Sequence, residues 1–400
     1  MTASAGVGPA AAWRVIRSRR FGPYFAGNAT SASGTWFQNL AALILVARLT
    51  HSAFWLGFLN FSQFVPVLLL APLAGSVADR FDRRRVLLLT QLAAAATSGA
   101  LAGFAWAGEA TLAVVIAFSA AMGVTSAFSS PLQQALITAL VDDEDVPQAV
   151  ALNSMTFNLA RAVGPTLATA VIVTLGIPWA FALNSASFLL LAAALLVIRP
   201  RPQERSSRRS SLRESFGLIR ADPRLGAFLL IVMCVGFASD PVNTEAPKFA
   251  AAFGYGDTWS GIIVGFFGAG AVTAALLVAG RVAGTRGRMA TTLAVMGVGV
   301  ILFSVTPWLP LAFAFLFCAG FGYLSSNTAA TARLQLGVAE SQRGRIMALW
   351  SIAFLGLRPV ASLTDGALAG AFGVRVAGTV LAIPALLGAA AVLFVRAPRR

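Results

Sequence analysis

Charge is scarce in this chain: Asp, Glu, Lys and Arg make up 11% of its 400 residues, against about a quarter in a soluble globular domain. With 58% hydrophobic residues and a mean hydropathy of +0.78, that shortage excludes a soluble fold. Cysteine is nearly absent. Cys234 and Cys318 lie far apart in apolar runs with no ligand-type spacing, so both read as small buried hydrophobes. The lone histidine, His51, follows Thr50 in a short turn and reads as a solvated turn residue. There is no Walker loop, nucleotide fingerprint, metal cluster or nucleophile constellation, so no metal, no other cofactor and no enzyme chemistry is expected. Arg14, Arg17, Arg19 and Arg20 precede an apolar stretch, but no small-residue cleavage site follows it. The stretch therefore reads as a retained first helix.

What the chain has in abundance is long apolar runs. A membrane-spanning helix needs roughly 20 mostly apolar residues. Breaks at charges, Pro and Gly give twelve such segments: 22–49, 53–78, 85–107, 110–138, 148–176, 178–198, 224–250, 258–281, 289–306, 309–336, 346–370 and 373–396. One long polar interruption, 199–222, divides them six and six. The expected organisation is an N-terminal six-helix half at 1–198, a basic linker at 199–222 and a C-terminal six-helix half at 223–400. That linker has only 24 residues, too few for a nucleotide-hydrolysing domain. Within it Leu212, Phe216 and Ile219 share one helical face, which predicts a short amphipathic helix on the membrane surface. With both termini inside, cytoplasmic stretches hold 25 of the 30 Lys and Arg residues. Arg48, Lys248 and Arg375 fall outside, and Arg161 and Arg358 within the membrane. This bias assigns the net charge of +15 to topology and anionic lipid rather than to nucleic acid.

The two intramembrane arginines occupy repeated places. Five of the eleven positions from Ala151 to Arg161 are identical to those from Ala348 to Arg358, at one offset of 197 residues. A buried guanidinium keeps its proton and costs several kcal/mol at a bilayer centre. Keeping two in equivalent places points to a duplicated membrane machine with a polar interior.

After the second segment comes Gly75-Ser76-Val77-Ala78-Asp79-Arg80-Phe81-Asp82-Arg83-Arg84-Arg85. It resembles the G-x-x-x-D-R-x-G-R-R signature of the major facilitator superfamily of secondary transporters, with Asp82 where that pattern usually has Gly. Gly75, Asp79, Arg80, Arg83 and Arg84 would form its conformational gate, the glycine allowing two helices to approach closely. Residues 280–288 form a degenerate copy without the acid, where the superfamily's second half would place it. The stretches around Thr50 to Gly57, Pro72 to Arg85 and Ala151 to Pro165 further resemble the enterobactin-exporter and secretion-effector subgroup. That resemblance implies an all-α membrane protein: twelve transmembrane helices in two pseudo-symmetric six-helix halves, the major facilitator fold. It also implies a monomeric antiporter in a bacterial inner membrane. Its partners would be protons, lipid and an amphipathic small molecule, drug-like or a siderophore. Import of a polar nutrient is the alternative.

For the interior the residues suggest roles. Asn28, Thr35 and Asn39 form one polar stripe on the first segment, able to line a cavity with Trp36, Asn158 and Asn243. Arg161 is either a tie between helices or a counter-ion to a carboxylate or an anionic substrate. Arg358 is its repeat mate. Gly164-Pro165 should kink the fifth segment, a feature that accompanies export in facilitator antiporters. Aromatic lining is expected from Phe37, Phe61, Phe64, Phe157, Phe266, Phe267, Trp350 and Phe354. Few acids fall within the membrane. Asp240 is the first proton-site candidate and Asp365, seven residues past Arg358, the second. Glu245 is the third, and Pro241 is expected to break the seventh segment. The remaining alternative is that Asp240 and Glu245 only mark a water-exposed helix end.

Overall fold

The computed structural model describes residues 9–201, 212–278, 286–339 and 342–394. The side chain of Asp79 and most of the motif copy at 280–288 lie outside the described residues. The described chain is helical throughout, with no strand. A short α1 (Pro9–Ile16) leads into α2 (Phe21–Thr50), α3 (Ala53–Arg80), α4 (Arg83–Trp106), α5 (Leu112–Leu140), α6 (Val146–Thr174) and α7 (Ile177–Val197). After the linker come α8 (Leu212–Ala221), α9 (Pro223–Thr244), α10 (Ala246–Ala252), α11 (Ser260–Val278), α12 (Arg286–Val305) and α13 (Leu309–Leu336). The chain ends in α14 (Arg343–Ser351), α15 (Arg358–Phe372) and α16 (Val374–Phe394), with a π-helical turn, Ile352–Gly356, between α14 and α15.

Among the described residues, eleven stretches are long and apolar enough to cross a membrane. They do not include α2, the thirty-residue helix that carries the Asn28–Asn39 polar stripe. All twelve expected segments are helical over most of their length, and 309–336 coincides with α13. Two are interrupted. The seventh continues through Pro241 and breaks instead at Glu245, before α10. Pro247, in the first turn of α10, has no N–H to offer the Asn243 carbonyl, so the later proline stops the helix. In the eleventh, Pro359 cannot donate to the Leu355 carbonyl, and the π-helical turn falls at that place.

The duplication is visible in the backbone. Gly176 ends α6 at φ 98° and Gly373 ends α15 at φ 88°, again 197 residues apart, and α7 and α16 start on the next residue in each case. Only glycine takes that backbone at little cost. His51, between α2 and α3, holds φ 51°, the one positive φ outside glycine among the described residues.

Contacts divide the chain into two compact units, Met1–Ala42 with Val65–Ser207, and Leu43–Phe64 with Arg208–Arg400. In the first, α4 packs on α5 and α7. At one end Phe21, Tyr24, Leu87, Leu132, Leu136, Leu191 and Leu195 form a core. Deeper in, Gln38 of α2 accepts hydrogen bonds from Ser98 of α4 (2.5 Å) and Asn184 of α7 (2.7 Å). Each group of this network is buried and partnered, which is what makes it tolerable in an apolar interior. In the second unit α13 packs on α11 and α12, and α16 on α9 and α12. Here α9 is the most enclosed span, with 67% of its apolar window buried, and a side chain on its inner faces has little access to solvent or lipid. Cys234 on α9 is buried as expected. Cys318 is exposed, because the inward stripe of α13 runs through Ala312, Leu316, Ala319 and Tyr323 and leaves it aside.

Candidate functional site: a buried acid cluster and two arginines

Three carboxyl groups are enclosed in the second unit. Asp240 near the end of α9 is 2% exposed, and Glu245 at the α9–α10 break and Asp365 on α15 are 0% exposed. Asp240 is partnered: Ser362 Oγ donates to its Oδ1 at 2.9 Å and Thr244 Oγ1 to its Oδ2 at 3.0 Å. Thr244 in turn accepts from Asn60 Nδ2 of α3 at 2.9 Å. Both oxygens of Glu245 and both of Asp365 have no hydrogen-bond partner among the described residues. The three acids act on one another electrostatically, Arg358 acts on Asp240, and Lys248 acts on Glu245. An unpartnered buried carboxylate costs several kcal/mol, a cost that binding a proton or another cation relieves. The acids are thus not a water-exposed helix end.

Arg358 opens α15 directly after the π-helical turn, and its guanidinium stands 4.7 Å from the centre of the Phe64 ring. The turn packs on α9 and stacks Phe354 on Trp350 at 5.1 Å. Asn243, also expected in the cavity, spends its amide on the Ser239 carbonyl (2.6 Å). Close by, a Cβ added to Gly57 of α3 would meet Gly366 Cα of α15 at 2.8 Å, so α3 and α15 touch backbone to backbone beside the acids.

Arg161 lies in the first unit, on α6. Its guanidinium faces two rings, Trp36 at 5.9 Å and Phe157 at 5.8 Å. Pro165 leaves the Arg161 carbonyl without an i+4 N–H, and Gly164 lets α6 close onto Trp36, where an added Cβ would sit 2.7 Å from the tryptophan Cβ. Asn28 donates to Asn153 at 2.8 Å, joining α2 to α6. Thr35 donates to the Ser31 carbonyl of its own helix, and Asn158 likewise to Ser154. Asn39 is half-buried on the same helix as Trp36. Of the expected aromatic lining, Phe267 is buried against Tyr323, while Phe157 and Phe266 are exposed.

The gate motif straddles the turn from α3 to α4. Asp82 caps α4, accepting from the Arg85 amide at 2.9 Å with φ −61°, so the glycine usual at this place is not required by the backbone. Arg84 donates to the carbonyls of Leu195 and Leu196 at the end of α7. Arg80 is exposed, and Arg83 lines a pocket with Arg199 and Arg201. Among the described residues, no atom lies within 4 Å of a Cβ built on Gly75.

Sequence reasoning missed Thr244, Ser362 and Asn60. A hydroxyl on an apolar helix usually bonds its own backbone, and no periodicity marks the few that instead reach an acid. Gln38, the acceptor of a three-helix network, was missed as well. Amide polarity in the middle of a span was the available signal.

These features define a polytopic membrane transporter of the major facilitator fold. A bacterial homologue of the human lysosomal transporter Spinster, solved inward-facing and occupied, superposes with a TM-score of 0.75 over 97% of both chains at 14% identity. A D-xylose–proton symporter gives 0.70 over 93% of this chain and 97% of its own, at 15% identity. At such identities the likeness is one of fold alone.

The chain belongs to the transmembrane secretion effector family, which it matches over residues 10–400. Among its relatives, the staphyloferrin A transporter of Staphylococcus aureus (strain NCTC 8325 / PS 47) is 32% identical over 136 residues. That match covers 34% of each chain, about a third of the relative's length. Macrolide efflux protein A of Streptococcus pyogenes is 20% identical over 62% of this chain and 67% of its own. The chain is therefore a multi-pass membrane protein of a transporter family, not of an enzyme family.

Proposed function

We propose that the protein exports an amphipathic small molecule, a drug-like compound or a siderophore, in exchange for protons across a bacterial inner membrane. In this reading both termini are cytoplasmic and the chain works as a monomer. The observation that carries it is the enclosed cluster of Asp240, Glu245 and Asp365, in which Arg358 acts on Asp240 and the other two carboxyl groups have no hydrogen-bond partner among the described residues. Such a cluster can take up and release protons as access to it alternates. Arg161, set between Trp36 and Phe157, offers an anionic aromatic or carboxylate group both a charge and ring faces. The similarity to a staphyloferrin A transporter and to a macrolide efflux protein supports the cargo class.

Inside-out proteoliposomes, with an imposed proton gradient and a panel of staphyloferrin A, a macrolide, sugars and amino acids, test the reading. Gradient-dependent uptake of staphyloferrin A or the macrolide is expected. Asp240→Asn and Asp365→Asn should abolish that drive while leaving downhill exchange. Uptake of a sugar or amino acid in right-side-out vesicles, without transport of the amphipathic probes, would replace export by nutrient import.

A further inference from the structure

The second unit includes a piece of chain far from the rest in sequence, the hairpin Leu43–Phe64 formed by the end of α2, the His51 turn and the start of α3. It is fastened at several points. Arg48 grips Asp257 with two hydrogen bonds, 2.6 and 2.9 Å, and Lys248 donates to the His51 carbonyl. Gly57 meets Gly366, Phe64 lies against Arg358, and Asn60 donates to Thr244. The Arg48–Asp257 pair and the Gly57–Gly366 approach involve none of the three acids, while Lys248 and Arg358 touch the hairpin and also act on Glu245 and Asp240. The Asn60 bond alone is joined to an acid by a hydrogen-bonded chain, because Thr244 spends its own proton on Asp240.

The polarity of that chain is specific. Asp240 accepts from both Ser362 and Thr244, and Thr244 accepts from Asn60, an arrangement suited to a carboxylate, which can only accept. A proton placed on the Oδ2 edge would turn Asp240 into a donor toward Thr244. The threonine hydroxyl would then have to find another acceptor, and the link to Asn60 would lose its charge-assisted partner.

We propose that Asn60, acting through Thr244, is the positioning residue that ties docking of the Leu43–Phe64 hairpin to the charge on Asp240. The hairpin is held when the carboxylate is free and loosened when it binds a proton. This rests on the reading of the acid cluster as the proton site, and it adds the element that reports the proton to the moving part. Other charged groups face the same place: Arg358 on α15 and Glu245 beside α10 act on Asp240, Asp365 on α15 joins them, and Lys248 faces Glu245. His51 on the hairpin and Asp257 opposite it are the other ionisable side chains at this place, and the controls must separate them.

The test is a spin-label distance between Ser52→Cys on the hairpin and Tyr255→Cys beside α10, in the full chain in nanodiscs. Cys234 and Cys318 are replaced by Ala, and His51 by Gln. No substrate is added. The docked population is expected to fall about fivefold relative to the undocked one from mildly alkaline to mildly acidic buffer, the weight of one neutral hydrogen bond. Asn60→Leu and Thr244→Val should flatten this response, and Thr244→Ser should keep it. Asp257, Glu245, Lys248 and Arg358 remain in every variant, so whatever they contribute appears as the residual slope. A response unchanged in Asn60→Leu and Thr244→Val, none in the parent protein, or docking that strengthens on acidification overturns the inference. Proton-driven transport by the parent protein is measured separately in proteoliposomes. Its absence would count against the proposed function, whereas its presence with a flat distance response would count against the hairpin link alone.

Discussion

Arg161 and Arg358 are repeat mates by sequence, yet their surroundings differ in kind. Arg161 has two aromatic rings at nearly 6 Å, and Arg358 has one ring at 4.7 Å and an acid cluster acting alongside it. Cation–π contacts contribute about 0.5–1 kcal/mol where exposed and about 2 where desolvated, too little to decide whether a protein of this size folds. Truncating Arg161 tests its part in transport against its part in holding helices together. Arg161→Ala is expected to abolish efflux of a macrolide probe from cells while its yield and elution profile in detergent stay at wild-type levels. Wild-type efflux in that variant would remove Arg161 from the site. The same comparison bears on the acids: Asp240 is fully hydrogen-bonded, and Asp365 and Glu245 are not.

At the scale of elements, breaks in helices carry more information than the helices themselves. The α9–α10 break puts Glu245 in the enclosed interior, and the π-helical turn puts Arg358 at the first turn of α15. Each break answers a proline that cannot donate. The turn from α3 to α4 is a third case, where Asp82 serves as a helix cap in a place the family signature gives to glycine. Losing an N-cap to alanine costs about 0.5–2 kcal/mol, and to glycine only a few tenths. Asp82→Ala should lower the thermal midpoint measurably, and Asp82→Gly should hardly move it, in a tryptophan-fluorescence melt. Equal losses in both would mean that the carboxylate matters for its charge and not for the cap.

For the whole molecule, the proposed topology rests on arginine placement. It puts the arginine-rich stretches on one side and the His51 turn with Lys248 and Asp257 on the other. Membrane-impermeant maleimide applied to intact cells should label Ser52→Cys and leave Arg85→Cys unlabelled until the cells are opened, in a background without native cysteine. The reverse pattern would invert the transporter and, with it, the direction of export.

Twelve helical segments and the 197-residue repeat were legible from residue order alone, because hydropathy and helix punctuation are local properties. Gly176 and Gly373, with their matching positive φ, show that repeat in the backbone. The candidate acids were legible as well, since an acid within an apolar run is conspicuous. What lay beyond the sequence was their company. Asn60 meets Thr244 across 184 residues and Ser362 meets Asp240 across 122, and neither pairing leaves a mark on local periodicity. The sequence by itself determined which residues must leave water and which few charges go with them. Only the tertiary structure decided which of those charges have partners, because a hydrogen bond depends on an approach of about 3 Å between helices that hydropathy does not encode.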